Sequence, residues 1–209
     1  MRIGRGLPSR LGRDQRGVTL VEFAIIFPVM ALMMMGLGDM LYQMYVKQLL
    51  YGAIQKAARD SGIQGGAQQT ATIDARVLQM MTGVMAMPTA SCATTPAPGT
   101  YCSTRLSYAT FGAVGPEPFE DTNGNNQRDP GECYRDINGN GSWDAEPGTT
   151  GQGGANDVTL YRIRITYPRI FPVAPLIGAS PYQTVTAETL LKNQPYATQA
   201  APTVNRLCN

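Results

Sequence analysis

The chain contains no histidine in 209 residues, and tryptophan occurs once. The missing imidazole excludes the Ser-His-Asp triad, the Cys-His dyad, a histidine general base and any metal site with a histidine ligand. Charge is scarce as well. The 17 basic and 15 acidic residues make up 15% of the chain, against roughly 25% in an ordinary soluble domain. A net charge of +2 leaves no electrostatic footprint for nucleic acid, so no nucleic-acid partner is expected. The four cysteines form no C-x-x-C pair, which disfavours thioredoxin-like redox chemistry and a four-cysteine zinc ribbon. These absences together lead us to expect a protein that is not an enzyme.

The charge that is present is segregated. Arg2, Arg5, Arg10, Arg13 and Arg16 precede Gly17 against Asp14 alone, whereas V-T-L-V-E-F-A-I-I-F-P-V-M-A-L-M-M-M-G-L-G, from Val18 to Gly38, has only Glu22. As a helix this run is about 30 Å long, the thickness of a bilayer core. It exceeds the roughly 7–15-residue apolar core of a secretory signal peptide, and no small-x-small cleavage site follows it. The leading arginines place the N-terminus in the cytoplasm and everything after Asp39 outside. A carboxylate in a membrane-length helix is costly and calls for a cationic partner. Cleavage between Gly17 and Val18 would create an ammonium group four residues from Glu22.

Arg16-Gly17 before Val18-Thr19-Leu20-Val21-Glu22-Phe23 resembles the prepilin processing signal. With Pro28 and the Met/Leu-rich run beyond it, the segment is most similar to the TadE-like minor pilins, or pseudopilins, of tight-adherence secretion systems. The resemblance implies processing by a prepilin peptidase at Gly17 and Val18, and assembly through Glu22, Phe23 and Pro28. The partners it implies are other pilin and pseudopilin subunits, membrane lipid and the pilus assembly machinery. The implied location is the inner membrane, single-pass, with the C-terminal domain exported or carried into an extracellular pilus. Pro28 would remove one helical hydrogen bond and bend the span. The alternative is a single-pass, membrane-anchored binding or adhesion module, dependent on the acidic stretch 117–148 described below, that is never assembled into a pilus.

Beyond the span, Val46, Leu50, Ala53, Ile54 and Ala57 recur on one helical face, opposite Gln48, Gln55, Lys56 and Arg59, so the helix should continue to Ser61-Gly62. Its Ala57-Ala58-Arg59 segment is similar to the alanine-rich stretch after the span in TadE-like proteins. A second helix is expected from Thr72, as N-cap, to Met85, with Ile73, Val77, Met80, Met81 and Val84 on its packing face. The period then becomes two. Asp157 to Tyr167 alternates Tyr161, Ile163, Ile165 and Tyr167 with Arg162, Arg164 and Thr166, a half-buried strand ended by Pro168 and Pro172. Gln183 to Leu191 can return as its partner, and Tyr101 to Thr110 is a weaker third strand. The fold class is α+β. Its organisation reads as a basic leader (1–17), a membrane or assembly helix (18–38), an amphipathic continuation (39–66) and an exported α+β domain (67–209).

Cys92, Cys102, Cys133 and Cys208 all follow the span, and in an exported domain an even count implies two disulfides. Three connectivities are open. Joining Cys92 to Cys102 closes the shortest loop and leaves Cys133 with Cys208.

The stretch 117–148 carries the most specific chemistry. D-T-N-G-N-N-Q-R-D from Asp121 is followed, with a period of 15, by D-I-N-G-N-G-S-W-D from Asp136. Asp121, Asn123, Asn125 and Asp129 align with Asp136, Asn138, Asn140 and Asp144, the 1-3-5-9 spacing that wraps oxygens around calcium, with main-chain carbonyls from Gln127 and Ser142 at position seven. The loops resemble those of EF-hand-like, dockerin-like and thrombospondin-type calcium repeats, and one or two calcium ions are expected. Both copies depart from the pattern. The first has Glu132 at position twelve but Asn126 in place of the turn glycine. The second has Gly141 there but Pro147 at position twelve, with Glu146 one place early. Pro130 and the lack of flanking helical periodicity point to loops without a helix-loop-helix frame. Eight acidic residues against two basic ones between Glu117 and Glu146 would repel one another without cations.

Overall fold

The computed structural model describes residues 18–62, 69–86, 88–171, 173–194 and 204–208. The leader, Gly17 and Pro172 lie outside the described residues. Helix α1 (Val18–Ser61) runs unbroken through Pro28 for 44 residues. Its many alanines, leucines and methionines favour helix, and Arg59 in the last turn suits the negative end of the helix dipole. Gly62 donates its N–H to the Ala58 carbonyl at 3.0 Å. The helix thus ends where the sequence predicts, but without a left-handed residue at Gly62.

The described chain divides into two compact units. The first joins α1 up to Tyr42 with the segment Arg169–Pro181. The second holds Gln43–Pro168 and Tyr182–Asn209. Within the second, helix α2 (Thr70–Met80) is followed by strands β1 (Thr89–Ala90), β2 (Thr100–Tyr108), β3 (Cys133–Asp136), β4 (Thr149–Thr150), β5 (Val158–Pro168), β6 (Tyr182–Lys192) and β7 (Asn205–Cys208). The main sheet has the order β1-β2-β5-β6, with β4 also pairing β2; β3 and β7 form a separate ribbon. Strands β2, β5 and β6 are antiparallel, in a register that sets Arg105 beside Tyr161 and Tyr161 beside Thr189.

That register separates the two sheet faces. Tyr161, Ile163, Ile165, Tyr167, Val185 and Ala187 are buried, as are Val46, Leu50, Ala53, Ile54 and Ala57 of α1 and Ile73, Val77 and Met81 of the α2 segment. Both helices bond to this face. Gln55 donates to Thr189 Oγ1 at 3.0 Å, and Asp74 of α2 accepts from Ser103 Oγ (2.5 Å), Arg105 (2.5 and 3.2 Å) and Tyr161 OH (2.6 Å). Arg105 also stacks over the Tyr161 ring at 4.2 Å. Burial, reinforced by Asp74, pushes the Tyr161 phenol far above its ordinary value. Each fully buried Val, Leu or Ile contributes about 1.5–3 kcal/mol, whereas removing one partner of the Asp74–Arg105 pair would cost about 3–5 kcal/mol by stranding a charge.

The opposite face is covered at one end. Tyr108, Val158, Leu160 and Ala113 form a second core, with Leu106, Val114 and Ile137 against it. The face expected to be solvated is therefore only partly so. Arg162 pairs with Glu146 and Glu188, and Arg164 donates to the Ala93 carbonyl at 2.8 Å.

Two expectations are corrected. Thr72 does not cap α2: the helix starts at Thr70, with Gln69 at the cap position and no side-chain cap. The helix ends at Met80, where the Met81 N–H turns back to Leu78 in a tighter bond and Gly83, a poor helix former, follows. Met80 and Val84 are consequently only half-buried.

Candidate cation loops and membrane helix

The two repeats fold alike. In the first, Asp121 Oδ1 accepts the N–H groups of Gly124 (2.7 Å) and Asn125 (3.2 Å), and Oδ2 accepts that of Asn126 (2.8 Å). In the second, Asp136 accepts from Gly139, Asn140 and Gly141 at 2.7, 3.2 and 2.9 Å. These bonds hold the Asp121 carboxyl below its ordinary value, the Asn126 N–H contributing most. Asn123 and Asn125 accept from the N–H groups two residues on, and their amide nitrogens both reach Asp129 Oδ2, at 2.6 and 2.8 Å. Asn138, Asn140 and Asp144 repeat this arrangement at 2.8 and 2.6 Å, with Ser142 in the place of Gln127.

The turns require left-handed backbone at positions four and six. Gly124 (φ 75°) and Asn126 (φ 59°) supply it in the first loop, Gly139 (74°) and Gly141 (79°) in the second. Asparagine tolerates this region better than other non-glycine residues. The missing turn glycine therefore leaves the first loop's path unchanged.

Of the two glutamates the sequence points to, Glu132 takes the expected place and Glu146 does not. Glu132 closes the first loop, its two oxygens accepting from Thr122 N–H (2.7 Å) and Asp129 N–H (3.0 Å). In the second loop those places belong to Ile137 and Asp144, and the acceptor is Glu117, at 2.7 and 3.0 Å. Glu146, the residue expected there, instead pairs with Arg162 at 3.2 Å. Glu117 is 0% exposed. Its main chain is also fixed, the carbonyl accepting from Trp143 Nε1 at 2.8 Å and the N–H donating to the Asp144 carbonyl at 3.0 Å.

A signal for Glu117 lay in the sequence. Glu117 stands four residues before Asp121, just as Glu132 stands four before Asp136, so the repeat unit begins at glutamate. Each repeat lends its leading glutamate to the other's loop. The repeats meet through matched bonds, Glu120 N–H to the Cys133 carbonyl (2.8 Å) and Arg135 N–H to the Pro118 carbonyl (2.9 Å), around a Phe119–Tyr134 bridge. The Cys133–Cys208 disulfide ties β3 to β7, and Cys92–Cys102 is the second bond. Arg206 of β7 holds Glu120 with two 2.8 Å bonds, which lower the Glu120 carboxyl and raise the Arg206 guanidinium.

Among the described residues, no three His, Cys, Asp or Glu side chains converge on one point. A cation in either loop would have to use asparagine amides and main-chain carbonyls beside the carboxylates. That oxygen-rich, low-charge set suits a hard ion.

In α1, Glu22 lies in the second turn, and Phe23 and Phe27 face each other with ring centroids 5.3 Å apart. Leu20, Phe23, Ile25, Phe27, Val29, Met33, Met34 and Leu37 are all half or more exposed. Among the described residues α1 is the one helix long and apolar enough to cross a membrane, with mean hydropathy 2.2 over its best window.

Residues 17–59 match a family model described as TadE, TadE-like protein. The match covers about a fifth of the chain and supports the TadE-like resemblance drawn from the apolar run after Gly17 and from the alanine-rich helix. No curated protein and no solved structure matches the chain.

Proposed function

We propose that this protein is a minor pilin of a tight-adherence pilus, processed after Gly17 and packed through α1 into the pilus or the complex that initiates it. The observation that supports this reading best is the head of α1. There Glu22 and Phe23 open a helix whose apolar side chains face outward along its first half, within the TadE-like segment. A helix of that kind needs lipid before assembly and neighbouring helices after it. The protein is inserted with its N-terminus inside and its C-terminal domain exported, which is where disulfides persist. Glu22 neutralises the ammonium of Val18, its own or a neighbour's, and so sets axial register in the assembly.

Two calcium ions occupy the paired loops in this reading. Asp121, Asn123, Asn125, the Gln127 carbonyl, Asp129 and Glu132 serve the first. Asp136, Asn138, Asn140, the Ser142 carbonyl, Asp144 and Glu117 serve the second. An amide presents oxygen or nitrogen by a half-turn, so a cation beside Asp129 or Asp144 draws the asparagine oxygens inward. Magnesium suits the loops less well, because it keeps more of its waters.

The mass of the mature N-terminus tests the pilin reading. A chain starting at Val18 is expected in a host with the matching peptidase, and retention of residues 1–17 there rejects it. Glu22→Ala should still insert but assemble poorly when pili are sheared and counted. Wild-type yields would remove the register role.

A further inference from the structure

The connection between β5 and β6 is apolar where a surface loop would ordinarily be polar. From Ile170 to Pro181 it carries no charge. Ile170 is 53% exposed, and Leu176 and Ile177, in a short 3-10 turn (Ala174–Ile177), are 71% and 78% exposed. The segment is nevertheless built. Arg169 donates its N–H to the Pro181 carbonyl and its Nε to the Ser180 carbonyl, both at 3.0 Å, while Ala179 N–H closes on the Ala174 carbonyl at 2.9 Å. It is also attached at one level of α1. The Arg169 guanidinium pairs with Asp39, the first charge after the apolar run, and the Phe171 ring packs against Gly38 so closely that a Cβ there would meet it.

We infer that this loop is a second membrane contact, seating Leu176 and Ile177 in the outer interface of the bilayer beside the end of the span. The inference rests on the reading of α1 as a membrane helix. If residues 18–38 fill the hydrocarbon, Gly38 and Asp39 mark its outer boundary, and a loop fixed to them lies at the headgroups. Burying exposed Leu and Ile there gains the transfer energy of apolar surface, whereas leaving them in water forgoes it. The Asp39–Arg169 pair stays at the polar boundary, where both ions keep partial hydration. The geometry also limits the tilt of the chain, because the span and the loop are two points of attachment.

The test uses the full chain in phosphatidylcholine vesicles, with Ile177→Trp as a depth probe and the wild type, with Trp143 alone, as baseline. Lipids brominated near the headgroup should remove most of the added emission and leave Trp143 unaffected, at every protein-to-lipid ratio. Water-like emission that bromine does not quench overturns the inference. Blue-shifted emission without quenching also overturns it, because the loop is then covered by protein, such as a second copy. Flotation separates the two readings. An Ile177→Trp chain that floats with the vesicles but keeps its added emission unquenched loses only the loop contact, whereas a chain that fails to float loses the membrane helix and the loop contact together.

Discussion

The two acidic loops share a backbone path but are closed in different ways. The first takes its closing glutamate, Glu132, from position twelve of its own sequence. The second takes Glu117, which precedes both loops. A loop closed by its own chain can form locally, whereas one closed from outside forms only when the two repeats are docked. Glu132 also opens the second repeat, so the two repeats exchange their leading glutamates, and it is the second loop that closes only in the docked pair.

The largest effect should come from breaking that exchange. Glu117→Gln removes a buried carboxylate that accepts two main-chain bonds, each worth about 1.5–3 kcal/mol. If the loops hold calcium as proposed, calorimetry should then show two sites reduced to one, with Asp136, Asn138, Asn140 and Asp144 losing the ion. Glu132→Gln should remove the other site. Glu146→Ala, at an exposed ion pair with Arg162, should change calcium affinity little, since such pairs contribute about 0–1 kcal/mol. Loss of the second site with Glu146→Ala and its survival in Glu117→Gln would reverse the assignment.

A smaller effect tests the backbone difference at position six. Gly141→Ala forces a side chain to φ 79° and should destabilise the second loop by about 1–2 kcal/mol. The reciprocal change, Asn126→Gly at φ 59°, relieves a conformation asparagine merely tolerates. It should leave the first loop within about 0.5–1 kcal/mol of wild type, because glycine's freedom in the unfolded chain offsets the gain. Thermal unfolding with and without calcium measures both. Equal losses in the two variants would mean that position six is not where the loops differ.

Much of this fold is legible because its periods are clean. The alternation from Asp157 to Tyr167 and its return at Gln183 to Leu191 mark β5 and β6 to within a residue, since one face has to be buried. The apolar stripe from Val46 to Ala57 marks the end of α1. Helix α2 reads as too long because Met81 and Val84 keep a helical spacing that the turn after Met80 also satisfies. Strands β3 and β7 are four residues each, too short for a period to register, and their pairing is set by contacts 75 residues apart. Glu117 escapes notice for a different reason. The repeat aligns naturally on its first aspartate, and a glutamate four residues earlier carries no meaning until the two copies are seen to exchange partners.

The smallest effect concerns acid. Asp121 is held below its ordinary value of 3.8 by the N–H groups of Asn126, Gly124 and Asn125. A carboxyl whose folded value is depressed contributes stability that is present above the unfolded value and lost as pH falls through the folded one. The first loop should therefore keep its turn from neutral pH down to the ordinary aspartate value and open only below it. Glu120, lowered chiefly by its bonds to Arg206, should hold β7 beside the loops over a similar range and yield in the same direction. In calcium-free protein, the amide resonances of Gly124 and Asn126 should stay fixed down to that value and then move together. Movement at higher pH would mean that the turn depends on more than the Asp121 carboxylate. The Gly139 and Gly141 amides, bonded to a buried Asp136, provide the internal comparison for whether the two loops open as one unit or in sequence. If the exchange of Glu117 and Glu132 couples them, all four signals shift over one interval.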